Sequence, residues 1–247
     1  MADTPSPRPV SAEAILRLLQ DGPLALHGLL PYGSNYTFLA RVGRDDDQVL
    51  AVYKPIKGER PLWDFPENTL AFREVAAYRV SEALGWRFVP PTVFRRDGPH
   101  GPGSLQYFIH AQPDFHYFNL ADEDRPQMRR VALFDVIINN ADRKGGHLLK
   151  DHAGRLWLID HGIGFHVQNK LRTVIWDFAG EPIPEALLEQ VAAFRQKLDC
   201  DEDLKAALNA LLDPLEVAAL RRRVDRLLAA RRFPQPASGR SYPWPPV

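Results

Sequence analysis

From Leu24 to Pro55 the chain reads LALHGLLPYGSNYTFLARVGRDDDQVLAVYKP, short β-favouring runs broken at PYGSN and GRDDD. Such runs between turn signals predict an antiparallel meander. The period then changes. NTLAFREVAAYRVSEALG brings back apolar residues every three or four positions, with a polar cap at Asn68 or Thr69 and a stop at Gly85, which predicts a helix. TVFRRD and LQYFIHA, around the turn GPHGPG, return to strand. Beyond Phe115 the helical period dominates, in RPQMRRVALFDVIINN, EALLEQVAAFRQKL, DEDLKAALNALL and PLEVAALRRRVDRLLAARR, with RLWLID as one short buried strand. A β-rich half followed by an α-rich half excludes βαβ alternation and predicts an α+β fold of two lobes with a cleft between them.

The boundaries follow from composition. Residues 1–10 are Pro-rich and read as disordered. SAEAILRLLQDG opens the first lobe with a short helix capped by Ser11 and stopped by Gly22. The first lobe spans 11–112, a linker lies near 108–118, the second lobe spans 113–233, and the Pro-rich tail 234–247 lies along the surface or is disordered.

A chain of 247 residues, 45% hydrophobic, can bury one large core or two smaller ones. Its 31 basic and 31 acidic residues leave no global footprint for nucleic acid or an anionic membrane. The single Cys200 cannot form an intrachain disulfide, MADTPSPRPV lacks a signal-peptide pattern, and no apolar run reaches the length of a membrane span. Cytoplasmic residence is the expectation. In the basic helix near the C-terminus, Leu220, Val224, Leu227 and Leu228 keep the 3.6 period. Most of Arg221, Arg222, Arg223, Arg226, Arg231 and Arg232 are therefore expected to face solvent; the other reading is a patch for a phosphorylated molecule or an acidic partner.

The chemistry concentrates in FDVIINNADRKGGHLLKDHAGRLWLIDHGIGFH, which holds Asp142, His147, Asp151, His152, Asp160 and His161. Moving a phosphoryl group needs a cation for the phosphates, a carboxylate for a divalent ion, and an acid or base beside the acceptor hydroxyl. Lys54, near the end of a strand, and Glu74, in a helix, can supply the first, or can be a surface lysine and a solvated glutamate. Asp160 ends the apolar run LWLI before Gly162, which points a carboxylate into a cleft or caps a turn. His147 is a metal ligand or a hydrogen-bonding loop residue. His161 is expected to face away from Asp160 and pack, and Asn139 and Asn140 to orient the loop or end their helix.

The pattern NNADRKGGHLL…LWLIDHGIGF resembles the catalytic and metal-binding loops of the phosphatidylinositol 3- and 4-kinase-like families, notably the type II phosphatidylinositol 4-kinases and the bacterial HipA-like kinases, and above all actinobacterial members of that class. The resemblance covers Leu24 to Phe165. It implies a two-lobed, protein-kinase-like fold with a β-rich N-lobe carrying one main helix and an α-rich C-lobe. It implies Asp142 as the catalytic aspartate, Asp160 as the metal aspartate, Lys54 and Glu74 as the ion pair, and Gly33, Ser34 and Asn35 as the phosphate-covering turn. His147 departs from the pattern, standing where a metal-binding Asn is expected; imidazole suits softer ions than magnesium.

By position, the purine would lie against Tyr107, Phe108 and Ile109. The implied ligands are ATP and a divalent cation, Mg²⁺ or Mn²⁺, and the implied partner is a hydroxyl-bearing substrate, with no nucleic acid and no membrane span. Three functions remain open: a phosphotransferase acting on a lipid, inositol, sugar or protein hydroxyl; a nucleotide-binding pseudokinase acting as a regulatory module; and a metal hydrolase using His147, Asp151, His152 and Asp160.

Overall fold

The computed structural model describes residues 11–30, 35–45 and 47–247. Its first half is a five-stranded antiparallel sheet in the order β1-β2-β3-β5-β4, made of β1 (Leu24–Leu29), β2 (Phe38–Arg44), β3 (Asp47–Pro55), β4 (Thr92–Arg95) and β5 (Gly103–Tyr107). Sequential strands pair as a meander, Ala40 opposite Ala51 between β2 and β3, while β5 returns to pair with β3 and sets Lys54 opposite Ser104. Helix α1 (Ala12–Asp21) closes one face of this sheet: Ser11 accepts the Ala14 amide at its start, and Ile15 and Leu19 enter a small core with Ala40, Val42, Ala51, Tyr53, Val93 and Leu105.

Helix α2 (Leu70–Ala83) is the surprise in an otherwise legible half. It is buried on nearly every face, since one side meets β4 and β5 and the other joins the helical core through Ala76, Ala77, Tyr78 and Val80. Neither Asn68 nor Thr69 caps it through a side chain. Glu59 reaches across from the preceding loop, its carboxylate accepting the Leu70 and Ala71 amides at 3.2 and 2.8 Å, an anion at the positive end of the helix. Arg73, fully buried, pins α2 to the second half by donating to Glu216 (2.7 Å) and to the Gly164 carbonyl (2.7 Å).

The second half packs α3 (Arg125–Ile138), α4 (Glu185–Cys200), α5 (Glu202–Leu211) and α6 (Pro214–Ala230) around a larger core. A hairpin of β6 (Leu148–Lys150) and β7 (Leu156–Leu158) joins it; β6 is a strand that sequence pattern alone did not separate from the polar loop. Asn139 takes the left-handed conformation (φ 55°) that ends α3, and its amide donates to the His166 and Gln168 carbonyls while its oxygen accepts from the Lys170 amide. It therefore both ends the helix and orients the loop. The arginines of α6 divide: Arg222 and Arg226 are exposed, whereas Arg223 donates to the Ile137 and His166 carbonyls. The tail is not loose either, for Ser241 and Pro243 are buried.

Candidate active site

Four elements converge on one cleft. Near the end of β3, Lys54 aims its ammonium at Glu74 Oε1 on α2 (2.5 Å) and at Asp160 Oδ1 (2.9 Å) just past β7. Burial alone would push the Lys54 ammonium down, but Asp160 and Glu74 outweigh it and hold it above its ordinary range. In return, the Lys54 charge holds the half-exposed Asp160 carboxyl well below the usual carboxylate range against its desolvation. Asp160 sits at φ 62°, a left-handed position that Asp tolerates better than most residues. The backbone reversal there turns consecutive side chains in opposite directions, Asp160 into the cleft and His161 into the core.

Glu74 is buried and uses both oxygens, the second accepting the His161 amide at 2.9 Å. His161 Nε2 lies 2.8 Å from Arg143 Nη2. A guanidinium can only donate, so this nitrogen accepts and the proton sits on Nδ1, which faces Glu74 Oε2 at 3.9 Å. Burial, helped by the Arg143 charge, holds the ring neutral. Arg143 itself is fully buried: Nε donates to both oxygens of Asp135 on α3 (3.0 and 3.1 Å) and Nη1 to the Ile159 carbonyl (3.0 Å). Asp135 also accepts from Asn140 and Thr173.

Asp142 lies on the cleft side of this network, its amide donating to Asn140 Oδ1 and its carboxylate 3.4 Å from Lys144 Nζ. Burial pushes its carboxyl up; Lys144 opposes this, Asp160 adds to it, and Arg240 in the tail opposes it. His147 ends a single helical turn, Gly145–His147, with Nε2 3.4 Å from Asp160 Oδ2 and a pKa lowered to about 4, mainly by burial. The ring is thus neutral near pH 7, with one nitrogen carrying its proton and the other an open lone pair. Nδ1 is turned toward the Lys144 amide at 3.4 Å, which favours the tautomer with the proton on Nε2, directed at Asp160.

The cleft brings together Lys54, Glu74, Asp160 and His147, with Asp142 on the adjoining loop. It leaves other candidates apart. Gly33 and Ser34 lie outside the described residues, and Asn35 accepts the Arg60 amide at 2.8 Å. The amides of Tyr107 and Phe108 donate to the Pro91 and Leu50 carbonyls. They cannot also face a purine, so among the described residues Ile109, whose amide has no partner there, is the one of the three left to offer that donor. Asp151 accepts from Ala153, Arg155 and Trp157 in its own turn, and among the described residues no group of three His, Cys, Asp or Glu could hold a metal ion by itself. Asp151 is thus committed to its own turn, whereas the hydrolase reading needs it beside His147 and Asp160. Sequence reasoning missed Asp135 and gave Arg143 no role; the available signal was an Asp inside the apolar run ALFDVI, which a buried helix tolerates only with partners.

A β-sheet half carrying a strand lysine paired to a helix glutamate, above a helical half whose loops present Asp142 and Asp160, is a protein-kinase-like fold. Solved structures agree: the Golgi casein kinase with manganese and ADP bound superposes with a TM-score of 0.58 at 14% identity, over 96% of this chain and 80% of that one. No family model matches the chain. It belongs to the same family as Protein Rv2133c of Mycobacterium tuberculosis, with which it shares 40% identity over 92% of this chain and 94% of that protein. A more distant relative is phosphatidylinositol 4-kinase gamma 4 of rice (Oryza sativa subsp. japonica), 30% identical over 54% of this chain. The matched region is only 27% of that kinase's length.

Proposed function

We propose that the protein is an ATP-dependent phosphotransferase that moves the γ-phosphoryl group to a hydroxyl acceptor. The observation that carries this reading is the Lys54 ammonium held between Glu74 and Asp160, a cation fixed at the mouth of a cleft with a second carboxylate, Asp142, on the adjoining loop. Lys54 would hold the donor phosphates while Glu74 keeps it in place. Asp142, a carboxylate whose pKa burial raises, would accept the proton of the acceptor hydroxyl as the acceptor oxygen bonds to the γ-phosphorus and the bond to the bridging oxygen of ADP breaks. Lys144, beside Asp142, would face the transferring group.

The residues present fit a divalent ion shared with the donor. Asp160 offers an ionised carboxylate and His147 a neutral ring nitrogen once its proton moves to Nδ1, and phosphate oxygens and water would supply the other ligands. Bound there, the ion would neutralise charge developing on the phosphates. The ordered sheet amides of Tyr107 and Phe108 would form the floor behind the purine, with Ile109 beside it. The two lobes proposed here meet near residues 108–118, and no helix among the described residues is long and apolar enough to cross a membrane.

A second reading, a nucleotide-binding pseudokinase, is favoured by His147 as placed, with a ring N–H rather than a lone pair toward Asp160. One experiment separates them. Melting temperature and phosphate release are measured with ATP and either Mg²⁺ or Mn²⁺, for the parent, Asp160→Asn and Asp142→Asn. The expected parent gain is about 2.7 kcal/mol at 100 times the dissociation constant. Asp160→Asn should lose the metal-dependent part, and Asp142→Asn should keep the gain while losing roughly 10²–10⁴ in turnover. A gain without turnover in the parent selects the pseudokinase; no gain at millimolar ATP sinks both.

A further inference from the structure

Between Asp142 and His147 the loop runs through Gly145 and Gly146, the two residues least able to hold a conformation unaided. The Gly145 amide donates to the Pro246 carbonyl at 2.7 Å, and the residue is wedged so tightly that a Cβ there would stand 2.8 Å from Phe118 Cε2. Five residues earlier in the tail, the Ser241 carbonyl accepts two donors, the Thr173 amide (3.1 Å) and Trp176 Nε1 (3.1 Å). Thr173 is part of the loop's other border: it bridges Arg143, and its hydroxyl donates to Asp135, the carboxylate that holds Arg143. The tail thus grips both borders of the loop, through main-chain oxygens at each end, and buries Ser241 and Pro243 between them. It also brings Arg240 near enough to Asp142 for their charges to interact.

We propose that the C-terminal segment Ser241–Pro246 is a positioning element of the active site, a strap that fixes the Asp142–His147 loop through the Pro246 and Ser241 carbonyls. This rests on the reading of that loop as catalytic. The strap is separate from the donor side, since Lys54, Glu74 and Asp160 take no hydrogen bond from it. Because the acceptors are carbonyls, the strap depends on the presence and path of the chain more than on its side chains, so Pro246→Ala is expected to be neutral.

Two truncations test it, one removing residues 246–247 and one removing residues 238–247, with Pro246→Ala as control. Exchange of the Gly145 amide is followed by NMR, alongside the ATP-induced melting shift and the kcat and KM of ATP hydrolysis. Either truncation should raise Gly145 exchange by at least about tenfold. The nucleotide shift and KM should stay unchanged while kcat falls roughly 10- to 100-fold, the scale expected when a reacting group is misplaced by about an ångström. A synthetic peptide of residues 238–247, added to the longer truncation, should restore both exchange protection and kcat. Unchanged Gly145 exchange in the shorter truncation would overturn the proposal, and so would a rise in turnover, which would make the tail an inhibitory cover. If the parent neither binds nor hydrolyses ATP, the phosphotransferase reading fails on its own terms, and Gly145 exchange with peptide rescue still decides whether the tail fixes the loop.

Discussion

The two sides of the Asp142–Asp160 region are built on opposite principles. On the cleft side, Lys54, Asp160, Asp142 and His147 make few and partly long contacts, and Asp160 is half-exposed. On the far side, Asp135, Arg143 and His161 are fully enclosed, and Arg143 donates to a carboxylate, a ring nitrogen and the carbonyl just before Asp160. One side keeps charges available to a ligand. The other pairs its polar groups with each other, and so holds the backbone of the first in place without entering the cleft.

The sharpest way to break this contrast is to compare Arg143→Ala with Asp160→Asn. Removing Arg143 leaves the Asp135 carboxylate buried without its counterion, and a broken buried pair costs about 3–5 kcal/mol. Asp160→Asn keeps a residue suited to the left-handed turn, and Lys54 retains Glu74, so its stability should stay within about 1 kcal/mol of the parent. Urea denaturation of both variants measures this. Equal losses would mean that the cleft side is as structural as the far side.

The same contrast explains what could be read from the sequence. The β-then-α order, the helices, the strands other than β6 and the α+β class were legible because periodicity records which residues face a core; the kinase-like fold was legible only through the resemblance of NNADRKGGHLL…LWLIDHGIGF to known kinase loops. Lys54 and Asp160 stood out because each is a charged residue near the end of a strand-like run, Glu74 because it lies within a predicted helix, and Asp142 through the resemblance of its loop to known kinase loops. Arg143 looks in sequence like any other charge; the apolar run ALFDVI marks Asp135 as a residue that needs partners, but nothing local names them, because they arrive from different elements. The cap on α2 was misplaced for a related reason: Glu59 lies outside the helix it caps, so the local residues Asn68 and Thr69 drew the inference. The tail read as surface or disorder because Pro-rich composition says nothing of carbonyls used as acceptors.

Acid probes both sides through their histidines. Burial lowers His147 to about 4 and His161 well below its ordinary value. Unfolded imidazoles take up a proton near pH 6.5, whereas the folded ones stay neutral, so the unfolded state binds more protons between those values. Stability is therefore full above about pH 6.5 and declines as pH falls toward 4, at about 1.4 kcal/mol per pH unit for each histidine. From His147 alone the loss by pH 4 is on the order of 3 kcal/mol. Asp142, pushed up by burial, works in the opposite direction and offsets part of it. Urea midpoints at pH 7 and pH 5 should converge for His147→Asn relative to the parent. An identical fall in the two proteins would assign the acid sensitivity to His161 and the far side alone.

The smallest effect tests how far the enclosed side extends. Arg222 and Arg223 are adjacent on α6, and in sequence nothing separates them. Arg223 nevertheless reaches the Ile137 carbonyl at 2.9 Å, at the end of α3, and the His166 carbonyl at 3.2 Å, the same oxygen that receives the Asn139 side chain. Burial lowers its pKa to about 10, with Glu216 opposing, yet it stays charged at neutral pH. Arg223→Ala would leave two carbonyls short of a charged donor behind the Asp142–His147 loop, a loss of roughly 1–3 kcal/mol, whereas Arg222→Ala on the exposed face should stay within about 0.5 kcal/mol. Arg223→Lys should fall between them, because a point charge cannot reproduce a planar fork bonded to two oxygens. Denaturation midpoints for the three variants decide the matter. If Arg223→Ala matches Arg222→Ala, the far side ends at Arg143 and Asp135, and α6 contributes to the loop only through the buried Arg73–Glu216 pair.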